Sequence, residues 1–308
     1  MLAFVSPSPS VDVTYEVDEL TLGEGHRPVS VHRNAGGKAL NAARSASAMG
    51  AKVHATAVLA GHSGAFIAEQ LQRHGVELHA IAGSTDTRSC ISIASKGTGI
   101  LTEVYEHASN VTGGEWEQVR AAMEEILLLK PSWVAASGSL PASLDPEALA
   151  QLVRECATLG VPFALDTHGA ALAAAVQAKP ALIKVNRAEA RELLGCAATR
   201  DAAELAGDIH AMSAGMVIVT DGTEGAAATD GKRHWHIPPP ERLGGFPVGS
   251  GDAFLGGLLS ALDFGLNFSE ALARGAGCSI ANALQPGAAS FNTDAAREIA
   301  DSIRIVAS

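Results

Sequence analysis

A chain of 308 residues with 47% hydrophobic and 4% aromatic side chains can bury a substantial core, and it suits helices packed closely on a sheet better than an aromatic-rich all-β core. Its formal charge of −11 repels polyanions, and with no basic run to offset that field nucleic acid is excluded as an expected partner. No apolar stretch approaches the roughly 20 residues that span a bilayer, and Met1 to Ser10 lacks a leader pattern, so no membrane contact and a cytoplasmic location are expected.

Apolar runs alternate with helical patterns, the mark of βα units and a mostly parallel sheet. Leu2–Val5 is the expected first strand. Val11–Val17 and Pro28–His32 read as extended pieces outside that rhythm, followed by a glycine-opened helix that ends before Gly50. Strand His54–Leu59, helix Gly64–His74 with Gly75 after it, and strand Val76–Ile81 resume the alternation. Cys90–Ala94 and Leu101–Tyr105 are again extended, joined by the turn Lys96-Gly97-Thr98-Gly99. Strands at Trp133–Ala136, Phe163–Leu165, Ala181–Lys184 and Met216–Thr220 then alternate with helices at Asp145–Leu159, Gly169–Ala178, Arg187–Leu194 and Asp201–Ala214. The fold class expected is α/β: one domain over residues 1–308, a mostly parallel central sheet flanked by helices, and a small β-sheet lid from about 11–35 and 87–107.

Cys90, Cys156, Cys196 and Cys278 lie too far apart in sequence for a zinc or redox motif and read as buried small apolar residues. His234 and His236 would share one face of a strand, a pair open to a metal but short of further ligands.

Chemistry concentrates in two glycine clusters. In Val248-Gly249-Ser250-Gly251-Asp252 a glycine-rich turn runs into an apolar helical pattern through Ala261. Small residues let backbone N–H groups converge on an anion at the positive end of the helix. Asp252 there is placed to take a proton from an incoming hydroxyl, or else only to cap the helix; the motif by itself leaves both open. Gly36-Gly37-Lys38-Ala39-Leu40-Asn41 opens a second helix, with Lys38 as a point charge and Asn41 one turn on as a hydrogen-bonding group. It lacks the spacing of a Walker A loop. Two anion-binding helix starts suit an enzyme that handles two phosphates.

Those two clusters, with Gly138-Ser139-Leu140-Pro141, Lys184-Val185-Asn186-Arg187-Ala188-Glu189 and Val219-Thr220-Asp221-Gly222-Thr223-Glu224-Gly225-Ala226 between them in order, resemble the ribokinase-like (PfkB) carbohydrate kinases from end to end. The chain is most similar to the branch containing 1-phosphofructokinase and tagatose-6-phosphate kinase. The resemblance implies a ribokinase-like fold with ATP and Mg²⁺ as cofactors and a phosphosugar as small-molecule partner. Asp252 would be the catalytic base, with Gly249, Ser250 and Gly251 as the anion hole. Asp12, Gly36, Gly37, Lys38, Asn41 and Ser139 would meet the sugar, and Arg27 and Arg88 its phosphate, unless those arginines are merely solvated. Lys184, Asn186, Thr220, Gly222, Gly225 and Asn282 would lie on the nucleotide side, Asn282 beside the adenine, with Asn186 and Glu189 acting on the metal through water. A homodimer through the lid is a further expectation.

The chain departs from the family pattern at Ser8, Ala39, Val185 and Pro247. Ala39 adds a methyl where sugar and backbone approach, which bears on the choice of substrate and removes no group that phosphoryl transfer needs. Fructose 1-phosphate is the expected acceptor, with tagatose 6-phosphate, fructose 6-phosphate and a non-phosphorylated sugar or nucleoside as alternatives. A non-catalytic binder on the same fold would have no use for a base such as Asp252. A dinucleotide reductase is disfavoured by Ser6-Pro7-Ser8-Pro9 after the first strand, where a Gly-x-Gly-x-x-Gly turn would stand.

Overall fold

The computed structural model describes residues 1–196, 199–213 and 215–308. β1 (Leu2–Ser6) enters the centre of the molecule at once, with all five side chains buried, as a strand covered on both faces must be. β2 (Ser10–Val17) and β3 (Ser30–Gly36) leave for a second sheet, and α1 (Lys38–Ala48) follows β3 after one residue. β4 (Val53–Leu59), α2 (Gly61–Arg73) and β5 (Val76–Ala82) return to the main sheet, before β6 (Arg88–Ser95) and β7 (Leu101–Tyr105) complete the small one. The βα alternation then runs through α3 (Gly113–Leu128), β8 (Trp133–Ser137), α4 (Glu147–Thr158), β9 (Phe163–Asp166), α5 (Gly169–Gln177), β10 (Leu182–Asn186), α6 (Arg187–Leu194), α7 (Ala202–Ser213) and β11 (Met216–Thr220). β12 (Ala226–Thr229), β13 (His234–Ile237), α8 (Ser250–Asp263), α9 (Phe268–Ala283), α10 (Thr293–Ser302) and β14 (Val306–Ala307) close the chain.

The main sheet has ten strands in the order β14-β13-β12-β11-β10-β9-β8-β1-β4-β5. It is parallel from β5 to β11 and antiparallel from β12 outward. Alternation along the strands divides the core: Leu2 and Phe4 pack with Leu40, Leu255 and Leu258 on one face, Ala3 and Val5 with Leu149, Phe163 and Leu165 on the other. The small sheet has the order β3-β2-β6-β7, with β2 parallel to β6 and the outer pairs antiparallel. An α/β fold with a mostly parallel central sheet and a small separate sheet is therefore what the chain forms.

Three differences from the sequence reading have physical causes. The third extended piece is Ser30–Gly36 rather than Pro28–His32, because β3 is held residue by residue against β2 up to Ser10↔Gly36. α3 went unread although Thr112 and Glu115 form a capping box at its start. The antiparallel extension β12 to β14 is built from very short strands that carry almost no periodic signal. Ala214, the expected end of the helix from Asp201, lies outside the described residues. Among the described residues no helix is long and apolar enough to cross a membrane. Cys90, Cys156 and Cys278 are buried free thiols, and Cys196 is half-buried.

One contact decides where the two glycine clusters stand. At Gly256 of α8 an added Cβ would lie 2.3 Å from the Ala42 carbonyl oxygen of α1, so these helices touch backbone to backbone and their starts open on the same space. Gly256→Ala is expected to cost about 1–3 kcal/mol through this overlap. A urea midpoint equal to that of the parent would refute the close approach.

Candidate active site

A cleft of about 700 Å³ lies at the carboxyl ends of the parallel strands, between them and the small sheet, the usual place for ligands in an open α/β sheet. Gly249 caps α8 in the left-handed region at φ 79°. An added Cβ there would meet the Ala289 nitrogen at 2.6 Å, so only glycine lets the turn close. Asp252 follows in the first turn of α8, 7% exposed and lining the cleft. Burial is the main force pushing its carboxyl up to about 6, with nearby Asp166 adding to it, while Lys38, Asn41 and Lys184 pull the other way.

Asn41 links this carboxylate to a second one. Its amide nitrogen donates to Asp252 Oδ2 at 3.0 Å and to Asp12 Oδ2 at 3.1 Å. Asp12 also accepts from Ser10 Oγ at 2.6 Å, and burial raises its carboxyl more than these bonds lower it. Gly36 is needed for the same contact, since a Cβ there would stand 2.1 Å from Asp12 Cγ. The amide orientation of Asn41 is set from behind by Arg44, 2% exposed, which donates to Asn41 Oδ1 at 2.8 Å, Ala35 O at 2.8 Å, Ala288 O at 2.7 Å and Ala289 O at 3.2 Å. The sequence reading missed Arg44, which looks like one more polar residue on a helix. Its spacing of three from Asn41 was the available signal.

Cations gather opposite. Asp166, at the end of β9, accepts from Lys184 Nζ at 2.6 Å and from Lys38 Nζ at 3.3 Å, and Lys38 also reaches Glu189 Oε1 at 3.3 Å. Burial works against the Asp166 charge, yet Lys184 and Lys38 together hold its carboxyl below the usual range. Asp166 first and then Glu189 keep the Lys38 ammonium firmly protonated. Asp166 too was missed, because it lies at the end of an apolar strand outside any motif. Asn186 and Glu189 cap α6 reciprocally: Asn186 Oδ1 accepts from the Glu189 N–H at 2.9 Å, and Glu189 Oε2 from the Asn186 N–H at 2.8 Å. With these groups committed to each other and to Lys38, the pair fits a hydrated metal ion approached through water rather than one bound directly.

Ser139, Lys184, Thr220, Gly222, Gly225 and Arg88 all line the cleft, as do Gly37, Ser250 and Gly251; Gly36 sits just behind, against Asp12. Arg88 donates from one terminal nitrogen to Glu106 O at 2.8 Å, and its buried Nε has no partner. Two expected residues stand elsewhere. Arg27 is exposed on the loop between β2 and β3 and does not line the cleft, since that loop is not part of the small sheet's inner face. Asn282 is fully buried beneath the glycine turn, donating to Val248 O and Ser250 Oγ, both at 2.9 Å. Its neighbours Ser279, Ile280 and Ala283 are the ones that meet the cleft, because the turn at Val248 and Ser250 covers Asn282. Arg242, on the loop after β13, lines the cleft and was not foreseen. His234 and His236 are both exposed on β13, and among the described residues no third ligand joins them.

A parallel sheet with a glycine turn, a buried carboxylate and paired lysines at its carboxyl ends gathers the groups of an α/β enzyme site. The model of the pfkB family carbohydrate kinases matches residues 8–295. Tagatose-6-phosphate kinase of Staphylococcus epidermidis is 30% identical over 312 residues, covering 99% of each chain. The fold matches phosphofructokinase-2 from Escherichia coli in complex with potassium, with a TM-score of 0.88, 22% identity, and 97% of this chain and 98% of that one covered. It also matches a protein described as a possible 1-phosphofructokinase from Thermotoga maritima, with a TM-score of 0.87, 19% identity, and 100% and 99% covered. The chain belongs to the pfkB family of carbohydrate kinases, and is a phosphotransferase with an alcohol as acceptor.

Arg44→Met is expected to destabilise the protein by about 2–4 kcal/mol, since it strips a charged donor from several buried acceptors. A thermal melt within a degree of the parent would show that those acceptors do not need it.

Proposed function

We propose that the protein is an ATP-dependent phosphosugar kinase, acting on a ketohexose phosphate in the cleft between the small sheet and the carboxyl ends of the main strands. The observation that carries this reading is Asp252, a buried carboxyl pushed up to about 6 at the mouth of a glycine turn. A base poised there accepts a hydroxyl proton at neutral pH far better than an ordinary carboxylate. Asn41 holds both Asp252 and Asp12, so the amide that positions the base also positions the carboxylate that would meet the sugar. When bound, ATP supplies the γ-phosphoryl and Mg²⁺ offsets its charge. The Ser250 N–H is spent on the Pro247 carbonyl at 3.1 Å, so the N–H groups of Gly249 and Gly251, with Lys184 Nζ beside Gly251 and Lys38 across the cleft, would face the phosphoryl oxygens. Asn186 and Glu189 would hold the metal through its water shell, and Thr220, Gly222 and Gly225, which line the cleft, would border the nucleotide.

Arg88 gives the reading its substrate class. Arg88 lines the cleft, and a guanidinium there suits a phosphate oxygen. Fructose 1-phosphate and tagatose 6-phosphate both present one, and the 30% identity to a tagatose-6-phosphate kinase supports the second alongside the first. The small sheet acts as the lid in this reading. Its exposed Val31, Ile100 and Val104 would be covered in a homodimer.

The base assignment has a signed pH consequence. With a carboxyl near 6, the ionised base is fully present above pH 7 and is lost as pH falls through 6, so kcat/KM should drop about tenfold per unit below that point. Asp252→Asn should lower kcat by roughly 10²–10⁴ with the fold intact. A rate that stays level down to pH 5, or near-normal turnover of the variant, would leave Asp252 as a helix cap.

Arg88→Ala should raise KM for a phosphosugar by about 30-fold, or about 2 kcal/mol, with KM for ATP little changed. Fructose 1-phosphate, tagatose 6-phosphate, fructose 6-phosphate and free fructose, compared on parent and variant at saturating Mg-ATP, check this. Preference of the parent for free fructose would point to a plain sugar kinase.

A further inference from the structure

At the end of the main sheet away from the cleft, a cluster stands that the kinase reaction does not use. His54 is the second residue of β4, and Glu77 and His79 are the second and fourth of the edge strand β5. The parallel register sets His54 against Glu77 and Thr56 against His79, so alternation sends all three to one face. It is the face opposite Val53, Ala55 and Ala57, which pack into the core with Leu40 and Leu255.

The ring of His54 is 1% exposed. Its Nδ1 lies 3.3 Å from His79 Nε2, and its Nε2 lies 3.5 Å from Glu77 Oε2 without a hydrogen-bond partner. One donor atom from each of the three residues lies within 4.8 Å of the others, and among the described residues no other such group of His, Cys, Asp or Glu occurs. The two rings are tilted by 31° with centroids 5.6 Å apart, which brings their edges together rather than their faces. A hydrogen bond between the rings uses His54 Nδ1 and His79 Nε2, the two atoms a shared ion would take in its place, and leaves His54 Nε2 facing Glu77 Oε2 at 3.5 Å. A tetrahedral ion with bonds of about 2.0–2.1 Å to nitrogen has ligand atoms roughly 3.3–3.4 Å apart, so the two imidazoles, whose nitrogens are 3.3 Å apart and face each other head-on, would turn but not separate to share one.

We propose that His54, His79 and Glu77 form a binding site for a divalent transition ion of the zinc class, with water at the remaining position. Glu77, 61% exposed and free to turn about its side-chain bonds, closes the set from the solvent side. Imidazole ligands select such an ion over the magnesium of the transfer reaction, so this site and the kinase cleft do not compete. Lys52 and the amino terminus are near enough for His54 to feel their charge; the terminus is neutralised by Asp263 at 2.5 Å. A bound ion would join β4 to the outermost strand of the sheet and stabilise the folded chain by mass action.

The test uses the full chain stripped with a chelator and titrated with Zn²⁺ by calorimetry, with melting curves in parallel and Co²⁺ as a spectroscopic probe. One ion per chain, a rise in Tm on adding Zn²⁺, and visible Co²⁺ absorption typical of four- or five-coordinate sites are expected. His79→Gln and Glu77→Gln should each weaken Zn²⁺ binding by at least about tenfold and remove the rise in Tm. Glu77 is exposed, so that variant keeps the question answerable if His79→Gln melts early without metal. Absence of stoichiometric binding by the parent, binding that survives either substitution, or binding lost only in His234→Gln/His236→Gln overturns the proposal.

Discussion

A guanidinium shut away from water must be met by acceptors wherever it points, and Arg44 is met by Ala35 at the end of β3, Asn41 in its own helix and Ala288 and Ala289 after α9. Three separate parts of the chain are thereby fixed to one planar group. Ala288 and Ala289 are also the residues against which Gly249 packs, so the glycine turn of α8 takes its position from Arg44 at one remove. The carboxylates of Asp12 and Asp252 are in turn joined by Asn41, whose amide Arg44 orients. Burial drags the Arg44 guanidinium down to about 10, and the two aspartates hold it up, leaving it charged at neutral pH.

Across the cleft the logic is reversed. There a single buried carboxylate, Asp166, gathers two lysines that would otherwise repel each other. Lys38 faces Asp252 through space and keeps that carboxyl from rising further, while Asp166 pushes it upward. The value near 6 is thus a balance among burial, two cations, one anion and the Asn41 hydrogen bond, rather than the property of an isolated acid. Substitution of any one of them moves the others.

The βα rhythm was legible because buried parallel strands are written as short apolar runs, and Met216–Thr220 and Arg187–Leu194 form with the bounds the sequence suggests. The glycine clusters were legible because positive-φ turns at helix starts demand that residue, as Gly37 and Gly249 show. Residues that act across long sequence distances were not. Asp166 lies 128 residues from Lys38, and Arg44 lies 245 from Ala289, and no local pattern encodes such a meeting. Arg27 and Asn282 stand off the cleft wall for the opposite reason: position in a motif order says which loop or helix a residue belongs to, and not which side of it faces the cleft.

The small sheet is anchored unequally. β2 follows β1 after three residues and β3 passes into α1 through Gly37 alone, so that half is welded to the main body and to Asp12, Gly36 and Lys38. The β6–β7 hairpin, in contrast, enters and leaves through connections at 83–87 and 106–112 and is held to its neighbour by the β2–β6 ladder. It carries Arg88, Cys90, Glu103 and Tyr105 into the cleft. On the proposed reading the hairpin is therefore an exchangeable cassette: descent or design could replace it to change which acceptor is recognised while the residues proposed to activate the hydroxyl stay untouched.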